Sequence, residues 1–165
     1  MKKLLPAFLL IAFFALSTAA TAQQAPYLAK PYVPDFYILG TDSSTIFNKA
    51  TIKKGKPVMI ILFSPDCDHC QKQTASITKN IKAFDGVEIV MATYQPVFKA
   101  KAFAAQYKLN TYPNFYVGRD VMYFFGPYYQ LKSAPFIAIY NKDQKLIKAF
   151  DGGAPVEKLL ETLKM

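Results

Sequence analysis

Cys67 and Cys70 are the two cysteines of this 165-residue chain. They stand in Ser64-Pro65-Asp66-Cys67-Asp68-His69-Cys70-Gln71. The apolar run Val58-Met59-Ile60-Ile61-Leu62-Phe63 precedes them, and a segment with helical spacing, Gln71 to Phe84, follows. A buried strand that hands two cysteines to the first turn of a helix suits thiol chemistry. The helix N-terminus turns free N–H groups and the positive end of its dipole toward the first sulfur. That favours the thiolate, which is the nucleophile. Cys67, at the helix start and the more exposed, is therefore the expected nucleophile. Cys70, deeper in the first turn, is placed to resolve a mixed disulfide. A ring closed between them spans so short a loop that it stabilises little by chain entropy. The pair reads as redox-active rather than as a staple.

Three neighbours are expected to modulate the pair. His69, the only histidine, can stabilise the Cys67 thiolate and make the disulfide easier to reduce. Asp66 and Asp68 work the other way, because carboxylates beside the sulfur disfavour a second negative charge. The signs oppose, and residue types leave the net potential open. The same Cys67, His69 and Cys70 could ligate copper(I) or zinc, but structural zinc wants four ligands. The chain has no second cysteine pair and no distal histidine, so neither a metal nor a cofactor is expected.

The formal net charge is +9. The lysines are spread along the chain rather than clustered, which argues against nucleic-acid binding. Met1 to Ala22 has the form of a secretory signal peptide. Lys2 and Lys3 make the positive region, Leu4 to Leu16 the apolar one, and Ala20-Thr21-Ala22 the small-residue cleavage site before Gln23. An exported cysteine pair points to an oxidising periplasm. A membrane partner enters only if that segment stays uncleaved.

The rest of the chain has the length of one domain. Gln23 to Pro34, with three prolines, reads as an extended lead-in without a helix. Asp35 to Leu39 reads as an edge strand, and Ser43 or Ser44 as the cap of a short helix through Ala50. After the cysteine helix, Val87 to Thr93 reads as a strand and Phe98 to Lys108 as a helix, giving a parallel strand pair. Asn110 to Gln130 is crowded with aromatics and broken by Pro113, Gly118, Gly126 and Pro127. It reads as an irregular or helical excursion whose aromatics pack the core and cover the sheet or else line a groove for a partner protein. Phe136 to Tyr140, the turn Asn141 to Gln144, and Lys145 to Phe150 read as an antiparallel hairpin. Pro155 opens a last helix with Val156, Leu159, Leu160 and Leu163 on its buried face.

The strand–Cys-x-x-Cys–helix unit and Ser133-Ala134-Pro135-Phe136 resemble the thioredoxin superfamily over roughly Lys53 to Met165. The resemblance implies an α/β thioredoxin-like fold, with a central mixed sheet of roughly four to five strands flanked by helices. It divides the chain into a signal peptide at 1–22, an extension with an edge strand and short helix at 23–52, and the thioredoxin-like domain at 53–165. It implies that Pro135 is the family's cis-proline lying against the cysteine pair. It also implies that the backbone of Ala134 binds substrate like an added strand. A His before the second cysteine resembles the oxidant and isomerase branches. The chain departs from the family's pattern where Asp66 replaces a Trp, where Ile61 stands for a buried acid, and where Gln73 stands for a Glu found in some periplasmic reductases. The function implied is thiol–disulfide exchange with periplasmic protein thiols and disulfides, recharged by an upstream redox partner. The rival readings are a non-catalytic interaction domain of the same fold and a copper-binding module. No Thr-x-x-Cys precedes the pair, which disfavours a peroxidase.

Overall fold

Val58–Leu62 carries five apolar residues in a row, so neither face of that strand can meet water. In the computed structural model, which describes residues 24–165, this run is β3, and every residue of it is buried. It lies between β4 (Glu88–Thr93), which is parallel to it, and β6 (Phe136–Tyr140), which is antiparallel. The predicted signal peptide lies outside the described residues.

Among the described residues the sheet has seven strands rather than the four to five expected, in the order β2 (Ile46–Asn48), β1 (Tyr37–Gly40), β5 (Phe115–Arg119), β4, β3, β6 and β7 (Leu146–Asp151). The additional strands come from two places. Tyr37–Gly40 is β1, and Ile46–Asn48 pairs back on it as β2. The run expected at an edge is therefore flanked on both sides, by β2 and by β5 (Phe115–Arg119). Ser43 and Ser44 cap no helix. Asp42 accepts the N–H groups of Ser44 at 3.0 Å and Thr45 at 2.8 Å, and this aspartate-driven turn reverses the chain into a hairpin. What remains helical is one 3₁₀ turn, Lys49–Thr51, capped by Asn48.

The second surprise is β5. It lies inside the stretch expected to be irregular, and it runs parallel to β4 with Tyr116 opposite Val90. Phe115, Tyr116 and Val117 are strand-favouring residues whose signal is masked by the turn formers around them. The lead-in also differs from expectation, since Pro26–Ala29 forms a single helical turn, α1. Pro26 occupies its first position, where a missing N–H costs nothing.

Asp68–Lys79 (α2), Val97–Gln106 (α3) and Val156–Leu163 (α5) cover the sheet. Phe125–Tyr129 forms the short α4. Leu146–Asp151 is β7. Strand alternation splits the core in two. Met59 and Ile61 pack with Ile77, Phe103 and Leu159 on the side of α2, whereas Ile60 and Leu62 pack with Phe125 and Tyr129 on the other. The cysteine helix starts and stops earlier than its spacing implies. It ends at Lys79, and Ile81–Phe84 continues as a 3₁₀ turn that still buries Phe84. Among the described residues, no helix is long and apolar enough to cross a membrane.

Tyr129 and Tyr140 are both buried, with their hydroxyls 2.6 Å apart. Each hydroxyl is the other's partner. Tyr140→Phe leaves the Tyr129 hydroxyl buried and unpaired, so a loss of about 1–3 kcal/mol is expected. Urea unfolding measures it, and an unchanged midpoint would contradict the pairing.

Candidate active site

The sheet register assembles the site. Leu62, the last residue of β3, pairs with Phe136, the first residue of β6. Whatever follows β3 therefore meets whatever precedes β6. Cys67 follows β3, Ala134 and Pro135 precede β6, and the Ala134–Pro135 peptide is cis. The Cys67 Sγ donates to the Ala134 carbonyl at 3.6 Å, across 67 positions of sequence. Cys67, Ala134 and Pro135, expected to lie together, do so here.

Cys67 is the N-cap of α2, extended in backbone and partly exposed. No side-chain capping bond closes the helix. The sulfur instead faces the first N–H groups of α2. The Cys70 N–H is the main influence holding the Cys67 pKa below the ordinary cysteine value. Partial burial opposes it, and the Cys70 thiol and the His69 N–H assist. Cys70 is fully buried, and the Ser64 N–H donates to its sulfur at 3.4 Å. Burial pushes the Cys70 thiol up to about 12, and the neighbouring Cys67 sulfur adds to that rise. Both thiols are free.

These opposite shifts set a pH window. Reactivity toward an alkylating agent follows the thiolate, so Cys67 should react below the ordinary cysteine pKa and Cys70 only toward pH 12. Reduced protein treated with iodoacetamide at neutral pH is expected to carry label at Cys67 alone. Peptide mass mapping reads this, and equal labelling of the two would contradict the geometry.

The three residues expected to modulate the pair sit differently from one another. His69 is exposed, and it assists through its backbone N–H; its ring makes no hydrogen bond to the sulfur. Asp68 is exposed, and its charge opposes the thiolate as expected. Asp66 is taken up by Lys99 in the first turn of α3, with Nζ 2.5 Å from its carboxylate. That pairing offsets a charge counted against the thiolate. Lys99 was not legible as a site residue, because only the packing of α3 brings it to the loop.

Several residues hold the frame. Gln71 Nε2 donates to the Pro65 carbonyl at 2.9 Å, tying the loop to α2. Gln73 Oε1 accepts the Ala154 N–H at 2.9 Å, so it serves as an anchor for the chain after β7. Gly153 lies between Gln73 and Pro135 at φ +84°, where a Cβ would sit 2.6 Å from Gln73 Oε1. Asp151 accepts both the N–H and the hydroxyl of Ser133, fixing the approach to Pro135.

Ile61 is buried where the resemblance called for an acid. The buried acid Glu88 bonds the Tyr116 hydroxyl instead. It pairs with Val58 at the far end of the β3–β4 ladder, about 13 Å along the strand from the cysteine end. Glu88 is thus no proton acceptor for Cys70. Among the described residues, no three His, Cys, Asp or Glu side chains converge to hold a metal ion.

A model of the AhpC/TSA family matches residues 22–156. The chain belongs to the AhpC/TSA family. Protein disulfide-isomerase MPD1 of Saccharomyces cerevisiae is 33% identical over 73 residues, covering 44% of this chain and 23% of that protein. Two solved structures show how this family member folds. One is a secreted Mycobacterium tuberculosis disulfide oxidoreductase homologous to E. coli DsbE, with a TM-score of 0.64 at 20% identity, over 78% of this chain and 93% of that one. The other is the peroxidoxin BcpB of M. tuberculosis, with a TM-score of 0.67 at 18% identity, over 81% and 94%. The thioredoxin-like fold expected from the sequence is the fold of this AhpC/TSA-family chain, enlarged by β2 and β5.

Proposed function

We propose that this protein is an exported thiol–disulfide oxidoreductase that exchanges disulfides with other periplasmic proteins through Cys67 and Cys70. The observation that carries it is the Cys67 sulfur, acidified at the mouth of α2 and 3.6 Å from the Ala134 carbonyl. The names of the yeast isomerase and the secreted oxidoreductase support the same chemistry. The signal-like residues 1–22 support export.

The steps balance over one cycle. The Cys67 thiolate attacks a substrate disulfide, a new S–S bond forms, and one substrate sulfur leaves and takes a proton. The negative charge at Cys67 is thereby consumed. That charge and the Cys67 hydrogen bond had both helped to hold Cys70 protonated. Cys70 then loses its proton and attacks Cys67, releasing the second substrate thiol. Two electrons pass from the protein pair to the substrate, and an upstream reductant must restore them. Run backwards, the same steps donate a disulfide. Ala134 supplies backbone groups for the bound chain, and Pro135 seats it. His69, Asp66 and Asp68 tune the potential.

With Ile61 where a relay acid was expected, the second attack is the slow step in this reading. A non-catalytic role for the same fold would need the pair to be inert. Equilibration of the purified protein in glutathione buffers of graded potential decides between them. A two-electron transition between dithiol and disulfide is expected, and its midpoint gives the direction of electron flow. A pair that stays reduced at every poise ends the enzyme reading.

A further inference from the structure

A cavity of about 360 Å³ opens beside the cysteines, on the face of the sheet opposite α2. Leu62, Ala92, Phe125, Pro127 and Leu131 line it, and the half-exposed Tyr94 and Tyr123 stand at its mouth. Its two buried polar side chains, Asp120 and Thr93, are already occupied, while the exposed Lys132 and the half-buried Ser64 stand at its edge. Both oxygens of Asp120 accept N–H groups from Phe124 and Phe125, at 3.0 and 2.9 Å. The Thr93 hydroxyl accepts from Gln95, and the Ser133 hydroxyl donates to Asp151. A polar guest would find few partners there, and an apolar one fits.

Ala134 is the shared wall. It lines the cavity, and its carbonyl touches the Cys67 sulfur. Among the described residues its N–H has no hydrogen-bond partner, so that donor is open to a guest strand, and its carbonyl becomes so once the Cys67 thiol gives up its proton. Successive side chains on a strand point to opposite faces. A polypeptide laid along Ala134 with its cysteine toward Cys67 therefore sends the neighbouring side chain to the cavity face. The surface around the opening agrees. Tyr94 follows β4, Phe98 stands in the first turn of α3, and Met122 and Tyr123 follow β5, all with more than half their surface exposed. Such a gathering of exposed apolar groups at one end marks an interaction site.

We propose that this cavity selects the substrate, by taking one bulky apolar side chain, such as Phe, Tyr, Leu or Met, directly adjacent to the reactive cysteine of an extended polypeptide. This rests on the exchange reading above and assigns that site its substrate class.

The test uses Cys70→Ser protein and short peptides with a single cysteine carried as a mixed disulfide with thionitrobenzoate. The Cys67 thiolate forms a bond to the peptide sulfur, and the S–S bond to the aromatic thiol breaks. The aromatic thiolate leaves because its pKa is the lower, and its colour gives the rate. Peptides flanked by Phe on either side are expected to react about tenfold or more faster than Ala-flanked ones. Gly126 also lines the cavity, and a Cβ there meets nothing within 4 Å. Gly126→Leu fills part of that space and should abolish the Phe preference. Equal rates for all peptides, or a preference that survives Gly126→Leu, overturn the cavity proposal and leave the exchange reading intact. Failure of every peptide, and of the small-molecule disulfide of thionitrobenzoate itself, sinks the exchange reading beneath it.

Discussion

Cys67→Ser is expected to lower disulfide exchange by at least about a thousandfold, while Cys70→Ser stops the cycle at a covalent intermediate. A serine hydroxyl is not ionised near neutral pH, so the attacking group vanishes. The fold should survive, because Cys67 is the N-cap of α2 and serine is among the residues preferred there. Loss of activity then reports on chemistry rather than on unfolding. Cys70→Ser puts a hydroxyl into a fully buried site, yet the Ser64 N–H already points at that atom and remains its partner. The expected cost is about 1 kcal/mol. Cys67 still attacks in that variant, but nothing resolves the product, so substrate stays attached through a mixed disulfide. Non-reducing electrophoresis and intact mass read the adduct. Undiminished turnover in Cys67→Ser would remove the proposed nucleophile. A Cys70→Ser protein that cycles at the normal rate without adduct would remove Cys70 from resolution.

The cysteine site was legible because its parts are local. A continuous apolar run, two cysteines and a helix start fall within about twenty residues, and no distant partner is needed to read them. The β6–β7 hairpin and α5 were legible for the same reason, since the strands are joined by a short turn and the helix opens on Pro155. Pro135 was placed by resemblance, and the register of Leu62 against Phe136 gives the physical reason it meets Cys67. What stayed hidden depends on long-range contact. Phe115–Arg119 is a strand only because β4 and β1 accept it on either side. Ser43 and Ser44 looked like a helix cap, where Asp42 turns the chain instead, because the same side-chain chemistry serves caps and hairpin turns alike. Lys99 carries no local mark of its role, and the cavity beside Ala134 is built from the ends of separate strands. His69 was read through its ring, the part that varies between residue types. The backbone N–H, which any residue there but proline would supply, is the group that acts on Cys67.

Gly118→Ala is expected to destabilise the protein by about 2–4 kcal/mol, the largest effect of any single methyl group considered. Backbone conformation is not the reason, since Gly118 lies in an ordinary strand of the sheet. Space is the reason. A Cβ at Gly118 would stand 2.4 Å from the Leu39 carbonyl oxygen and 2.9 Å from its carbon. Both are main-chain atoms, held by the pairing of Leu39 with Ile46 on one side and Arg119 on the other. They have no rotamer to change, so β1 must withdraw from β5. That ladder joins two residue pairs, Leu39 with Arg119 and Gly40 with Gly118, and it has little to lose before it opens. The β1–β2 hairpin is then left as an isolated pair of strands, which is barely stable in water. It takes Ile38 with it, a fully buried member of the core on the side of Tyr129. The damage should stop there. Cys67 is held by β3 and α2, across β4 from β5, and its register against β6 does not pass through β1. Urea unfolding of Gly118→Ala should therefore show a lowered midpoint while native protein still labels at Cys67 alone. Gly126→Ala is the control, because its added methyl meets no atom beyond its own helix and chain neighbours, and its midpoint should fall far less. A Gly118→Ala midpoint equal to that control would mean that β1 does not press on β5.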